Sequence, residues 1–168
     1  TRLVSDWSSD VCSSDLVLRP SAVESDVMTR TASAIWNGEL KTGNGRMSAS
    51  TGAFTDLAYS FRTRFEDEPG TNPEELIAAA HAGCFSMATS VQLANAGFPP
   101  NSLATTATLT LEPVDGKPTI SKIHLDLKGD VPGISAEQFV ECAEAAKAGC
   151  PVSRVLNAEI SLTATLVS

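Results

Sequence analysis

Between Glu75 and Gly97 the chain carries no Asp, Glu, Lys or Arg, although charged residues make up 19% of the whole. The segment is preceded by strong helix-start chemistry. Asn72 can cap, Pro73 suits the first helical position, and Glu74 and Glu75 suit the positive end of the helix dipole. Thr71 is an alternative cap, with Glu74 closing a capping box. Gly97 and Pro99 mark the end. A helix that is apolar nearly all round has to be enclosed, so the rest of the chain must be able to cover it.

The rest reads as strands and one further helix. Residues 30–36 and 46–51 are expected to be short strands, with a turn at Gly43-Asn44-Gly45. Over 59–66, Tyr59, Phe61, Thr63 and Phe65 alternate with Ser60, Arg62, Arg64 and Glu66, which predicts a half-buried strand. Segments 103–111 and 119–128 alternate similarly and meet at Asp115-Gly116. A second helix is expected from Ser135, where Gln138 completes a capping box, to Gly149. Cys150-Pro151 opens a short helical segment toward Leu156, and 159–166 forms a last strand. The order β-β-β-α-β-β-α-β with one-sided strands gives an α+β domain with antiparallel pairing.

Residues 1–27 stand apart. Ser and Asp dominate the run Ser5-Asp6-Trp7-Ser8-Ser9-Asp10-Val11-Cys12-Ser13-Ser14-Asp15-Leu16, no apolar period runs through it, and it cannot offset the cost of ordering. The string resembles a translated sequencing adapter and is excluded from the fold as one would exclude a scar; a natural disordered arm is the competing reading. The expected domain is 28–168, with net charge −5 against −8 for the whole chain. That acidic balance argues against nucleic acid. No uninterrupted apolar run reaches roughly 18 residues, which argues against a membrane span. Four scattered cysteines do not make a secreted disulfide scaffold, so a cytoplasmic location is expected.

Three cysteines lie in the domain. Cys84, deep in the uncharged helix, is beyond the reach of its N-terminal dipole, and would need a cation from elsewhere to ionise; Arg62 and Arg64 are candidates. Without one it is an ordinary core thiol. Cys150 precedes a Pro at an N-cap position, where backbone N–H groups can favour a thiolate, and a small apolar cap is the alternative. Cys142 shares an apolar helix face with Phe139, Ala143 and Ala146 and reads as core. His81 and Cys84 form an H-x-x-C pair with no matching second pair, so zinc is not expected. His124 belongs to a polar strand face. There is no G-x-G-x-x-G or G-x-S-x-G motif.

The run from Phe65 through Thr71-Asn72-Pro73-Glu74-Glu75 and His81-Ala82-Gly83-Cys84-Phe85 to Met87 resembles the OsmC/Ohr family of bacterial thiol peroxidases. Ala146-Lys147-Ala148-Gly149-Cys150-Pro151-Val152-Ser153 resembles its second cysteine motif, and His81-Ala82-Gly83-Cys84 is closer to the OsmC branch. The resemblance covers essentially all of 28–168. It implies an intertwined homodimer in which strands wrap two central helices, with active sites at the interface. It implies Cys84 as the peroxidatic cysteine, Cys150 as the resolving one, Arg64 as the arginine holding the Cys84 thiolate, and Glu74 as the glutamate orienting Arg64 through a bidentate pair. The implied chemistry is reduction of organic hydroperoxides through a Cys84 sulfenic acid and a Cys84–Cys150 disulfide. An external dithiol, commonly a dihydrolipoyl group in the family, then reduces the disulfide, with no bound cofactor or metal. The alternative is a redox-sensing or ligand-binding protein on the same fold. Glu74 and Cys84 lie about 15 Å apart along a straight helix and about 80° apart around it, so either the helix begins later than its caps suggest, or Glu74 serves the thiol through the reach of Arg64 or across the dimer.

Overall fold

A computed structural model describes residues 27–167, so the reading of the N-terminal segment lies outside the described residues except at Val27. From Ala32 onward the chain forms one compact unit. It begins with three short strands, β1 (Ala32–Asn37), β2 (Asn44–Ala49) and β3 (Leu57–Ser60), paired antiparallel in that order. The β1–β2 turn differs from the expected one. It occupies residues 38–43, with Gly38 at φ +86°, while Asn44 and Gly45 already belong to β2. Gly45 is needed for closeness instead: it sits opposite both Trp36 and Tyr59, and a Cβ there would lie 2.3 Å from the Tyr59 ring. Its bare backbone lets the two aromatic rings approach to 5.5 Å across the middle strand.

The strand expected over 59–66 stops at Ser60. There a capping box between Ser60 and Thr63 starts a single helical turn, α1 (Phe61–Phe65). Phe61 and Phe65 share a face in either conformation, because four residues are two strand repeats and about one helical turn. Their rings pack at 5.0 Å, and the alternating pattern could not separate the two outcomes.

The long helix forms as expected, α2 (Pro73–Asn95), with the Asn72 side chain accepting from the Glu75 N–H at 2.8 Å. By length and low charge alone α2 could cross a bilayer. Its buried side, His81, Phe85, Thr89 and Leu93, instead joins the protein interior. Ser86 is tied to Thr105 at 2.7 Å on the neighbouring strand.

The second sheet comprises β4 (Ser102–Val114), β5 (Lys117–Asp130) and β6 (Glu159–Leu166), in that order. β4 and β5 form a hairpin turning at Asp115-Gly116, both at positive φ, and both strands run longer than the alternation suggested. β6 pairs parallel to β5, which departs from an all-antiparallel expectation. The physical reason is the crossover: the chain leaves β5 through α3 (Ala136–Gly149) and α4 (Pro151–Val155), and a helical connection returns it in the same direction. α3 begins with the expected Ser135–Gln138 capping box.

Ile123, Leu125 and Leu127 of β5 form the centre of the core with Phe85 and Leu93 of α2 and Phe139, Ala143 and Ala146 of α3. Gly129 leaves room for Phe139, whose ring lies where a Cβ would stand, 2.4 Å away. No residue of β1, β2 or β3 belongs to this core or packs directly on it.

Candidate active site

Two side-chain pairs stand out. The first is made of cysteines 66 positions apart: the Cys150 and Cys84 sulfurs lie 3.2 Å from each other, both as free thiols. Cys84 comes from the middle of α2. Cys150 is fully buried at the junction where α3 ends and α4 begins, so it is at once the C-cap of one helix and the N-cap of the next. Its own N–H is used by the Ala146 carbonyl. It stands at a helix start, where the first N–H groups have no intrahelical partner.

That arrangement treats the two thiols differently. Burial pushes the Cys84 thiol above its ordinary range; the Val152 N–H opposes this, and the neighbouring Cys150 adds to it. Burial also opposes ionisation of Cys150, but the Ser153 N–H, the Cys84 thiol, the Ser153 hydroxyl and the Val152 N–H outweigh it, and its pKa falls below the ordinary value. Cys142, half-buried against the core, is raised by burial first and by Glu141 second.

The second pair is Arg64 and Glu74. The last residues of α1 and the first of α2 are brought together by Thr63, whose hydroxyl donates to the Thr71 carbonyl at 2.9 Å. Arg64 then meets Glu74 with Nη2 at 2.7 Å and Nε at 2.8 Å. Both nitrogens converge on Oε1, so the pair is not the two-oxygen fork that was expected, and Oε2 is buried without a hydrogen-bond partner. Arg62, the other candidate cation, instead faces Glu66 and Glu68 in a solvated cluster. Beside Arg64 lies a cleft of about 250 Å³ lined by Trp36, Leu40, Tyr59, Phe61 and Phe65.

The four expected residues thus form two contacts within one chain, Cys84–Cys150 and Arg64–Glu74. Among the described residues, the groups acting on the Cys84 sulfur are the Val152 N–H and Cys150, and Arg64 is engaged by Glu74. Of the apolar residues near these elements, Phe61 and Phe65 line the cleft, Phe85 and Phe98 belong to the core and its surround, and Met87 is exposed. His124 is half-buried and bonded to Ser161 and Thr163. No group of three metal-ligating side chains occurs among the described residues.

The sequence reading missed Val152 and Ser153. They act through backbone N–H groups and a short hydroxyl, and their only signal was their position at the first turn after Cys150-Pro151. It also left His81 as half of an incomplete metal pair. His81 is fully buried, with Nε2 2.8 Å from the Ser153 hydroxyl, and burial holds its pKa below the ordinary imidazole value.

The family described as OsmC-like protein matches residues 65–165. A curated relative from Escherichia coli (strain K12), Peroxiredoxin OsmC, is 53% identical over 135 residues, which is 80% of this chain and 94% of the relative. The chain belongs to the OsmC family. Solved structures with the same fold include an OsmC-like protein from Mycoplasma pneumoniae, 17% identical, with a TM-score of 0.66 over 84% of this chain and 99% of that one. Another is the organic hydroperoxide resistance protein OhrB of Bacillus subtilis, 22% identical, with a TM-score of 0.57 over 80% of this chain and 98% of that one. The OsmC-family match spans both cysteine motifs and Glu74, and begins one residue after Arg64.

Proposed function

We propose that this OsmC-family chain is a thiol peroxidase that reduces organic hydroperoxides in preference to hydrogen peroxide, cycling through a Cys84–Cys150 disulfide. The peroxidase class rests on the 53% identity to Peroxiredoxin OsmC. The disulfide cycle rests on the single observation that two distant thiols meet at 3.2 Å. The substrate preference is supported by the aromatic cleft beside Arg64, where an apolar tail gains burial energy that hydrogen peroxide lacks.

In this reading Cys84 attacks the terminal peroxide oxygen and releases the alcohol, becoming a sulfenic acid. Cys150 condenses with it, expelling water, and an external dithiol restores both thiols by exchange. The first step needs Cys84 ionised, and within one chain burial opposes that. A second copy resolves the difficulty. The β1–β3 sheet contributes nothing to its own chain's core. Helix α2 exposes the row Gly83, Met87 and Val91, with Met87 74% and Val91 56% accessible. Both surfaces suit an intertwined homodimer, in which the Arg64–Glu74 pair of one copy serves Cys84 of the other.

The test is steady-state consumption of cumene hydroperoxide and of hydrogen peroxide with dihydrolipoamide as reductant, on the parent and on Cys84→Ser. Many turnovers by the parent, faster with cumene hydroperoxide, and none by Cys84→Ser are expected. A parent that stops after one equivalent with several dithiols would point to a redox sensor, and equal activity in both proteins would remove Cys84 from the mechanism.

A further inference from the structure

Helix α4 begins at Cys150, and little in its own sequence holds it in place. It is five residues long with no buried side chain, far below the roughly 12–15 residues at which an isolated helix becomes even marginally stable. The Cys150 side chain makes no capping bond to it. Val152 and Leu156 pack partly against the core, but apolar burial is non-directional, so it sets the depth of α4 better than its rotation or its sliding along α2.

One directional contact supplies what is missing. The Ser153 hydroxyl lies 2.8 Å from His81 Nε2. Apart from the contacts of the Cys84 sulfur, this is the only side-chain hydrogen bond or ion pair between α4 and another element among the described residues. His81 stands one turn before Cys84 on α2, and Ser153 one turn after Cys150. His81–Ser153 and Cys84–Cys150 are therefore successive rungs between the two helices, and two rungs fix a register that one does not. The His81 ring is fully inaccessible, and its Nδ1 has no hydrogen-bond partner. A buried polar atom without a partner is destabilising and rare, and a leucine would fill similar space without it. What the imidazole adds over an apolar side chain is the tie to Ser153.

We propose that the His81–Ser153 bond is a latch that sets the register of α4 on α2 and so holds Cys150 in position to attack oxidised Cys84, an assignment that rests on the peroxidase reading above. A disulfide needs its sulfurs at about 2.05 Å, whereas the thiols stand at 3.2 Å. The remaining approach is about 1 Å, and a misplacement of that size is felt directly in the rate. In this step the Cys150 thiolate bonds to the Cys84 sulfur, the bond from that sulfur to its hydroxyl oxygen breaks, and the departing hydroxide takes up a proton from solvent. One sulfenic acid, one thiolate and one proton give one disulfide and one water, with the Cys84 sulfur reduced and the Cys150 sulfur oxidised by the same electron pair. His81 and Ser153 exchange no proton in it; both are positioning residues.

The experiment mixes reduced full-length protein with one equivalent of cumene hydroperoxide in a stopped-flow instrument. Sulfenic acid is followed by dimedone trapping, and the disulfide by acid quench and mass spectrometry. His81→Leu and Ser153→Ala are expected to form sulfenic acid within a few-fold of the parent while forming the disulfide about 10–100-fold more slowly. With excess peroxide both accumulate sulfinic acid at Cys84. His81→Gln, whose amide can meet the same hydroxyl, restores the second step, and the double variant His81→Leu/Ser153→Ala loses little more than either single one. The slowing persists about two pH units above neutrality, because ionising Cys150 does not correct its position. A defect that vanishes there would assign the pair to thiol ionisation and overturn the latch. Parent-like disulfide formation in His81→Leu, or equal slowing of both steps, would overturn it too. If His81→Leu does not fold, Ser153→Ala at the same two pH values decides. A parent that forms no Cys84–Cys150 disulfide would instead overturn the peroxidase cycle beneath the proposal.

Discussion

Oxidation of the cysteine pair should make this protein markedly harder to unfold, and the size of the effect follows from where the two residues lie. A bond between Cys84 and Cys150 closes a loop spanning 66 positions. Restricting the unfolded chain in that way raises the free energy of unfolding by about 4 kcal/mol. The folded side gives little of it back, because the two sulfurs already touch and Cys150 is anchored between two helices. For a unit running from Ala32 to Ser168, that corresponds to a rise in Tm on the order of 10–15 °C. Differential scanning calorimetry on reduced protein, and on protein treated with one equivalent of cumene hydroperoxide, would measure it. Both samples must be at one protein concentration, since association also shifts Tm. Cys12→Ser and Cys142→Ser are expected to keep the gain and Cys150→Ser to lose it. A rise below about 2 °C in the parent, or the same rise in Cys150→Ser, would refute the argument, because the loop-closure contribution depends only on which residues are joined.

Three further outcomes are expected. A one-to-one mixture of Arg64→Ala and Cys84→Ser chains, each inactive alone, should regain about a quarter of parent peroxidase activity per chain if each site combines two copies; activity that stays at background would place Arg64 and Cys84 in the same subunit. Gly129→Ala forces a Cβ against the Phe139 ring and should cost about 1–3 kcal/mol in urea unfolding, whereas Gly116→Ala, with open space but φ +76°, should cost through backbone strain alone. Burial lowers the pKa of His81 in the folded state, so below its ordinary value the unfolded chain binds a proton that the folded chain does not. Stability should therefore fall as the pH drops below about 6.5, by up to about 1.4 kcal/mol per unit until the folded-state pKa is reached. Titrated denaturation curves of the parent and His81→Gln should differ by this slope, and identical slopes would count against a buried neutral imidazole.

Much of the architecture was legible because local chemistry and burial pattern agreed. The Asn72 cap with Pro73, the Ser135–Gln138 box, the Asp115-Gly116 turn and the alternation of Ile123, Leu125 and Leu127 each specify backbone conformation through residues close in sequence. The misses have equally local reasons. Phe61 and Phe65 fit a strand and a helical turn alike, so the Ser60–Thr63 capping box decided between them. Gly45 looked like a turn residue but lies in β2, where a Cβ would meet the Tyr59 ring; Gly43 does close the turn, where a Cβ would meet the Asn37 and Glu39 carbonyl oxygens.

Local chemistry along the chain specifies the uncharged helix, the α+β order and the chemical types available: two thiols, an arginine and a glutamate in recognisable settings. Which of them meet depends on how the folded elements pack. Cys84 and Cys150 are adjacent because the crossover through α3 lays the start of α4 against the middle of α2, a relation that periodicity does not encode. Arg64 meets Glu74 because a single helical turn replaces the end of a strand. Ser153 meets His81 for the same reason as the thiols do, because contact between residues far apart in sequence depends on how packed elements cross. The pattern of side chains along one element sets which face is buried, and the packing of that face against another element sets what it touches.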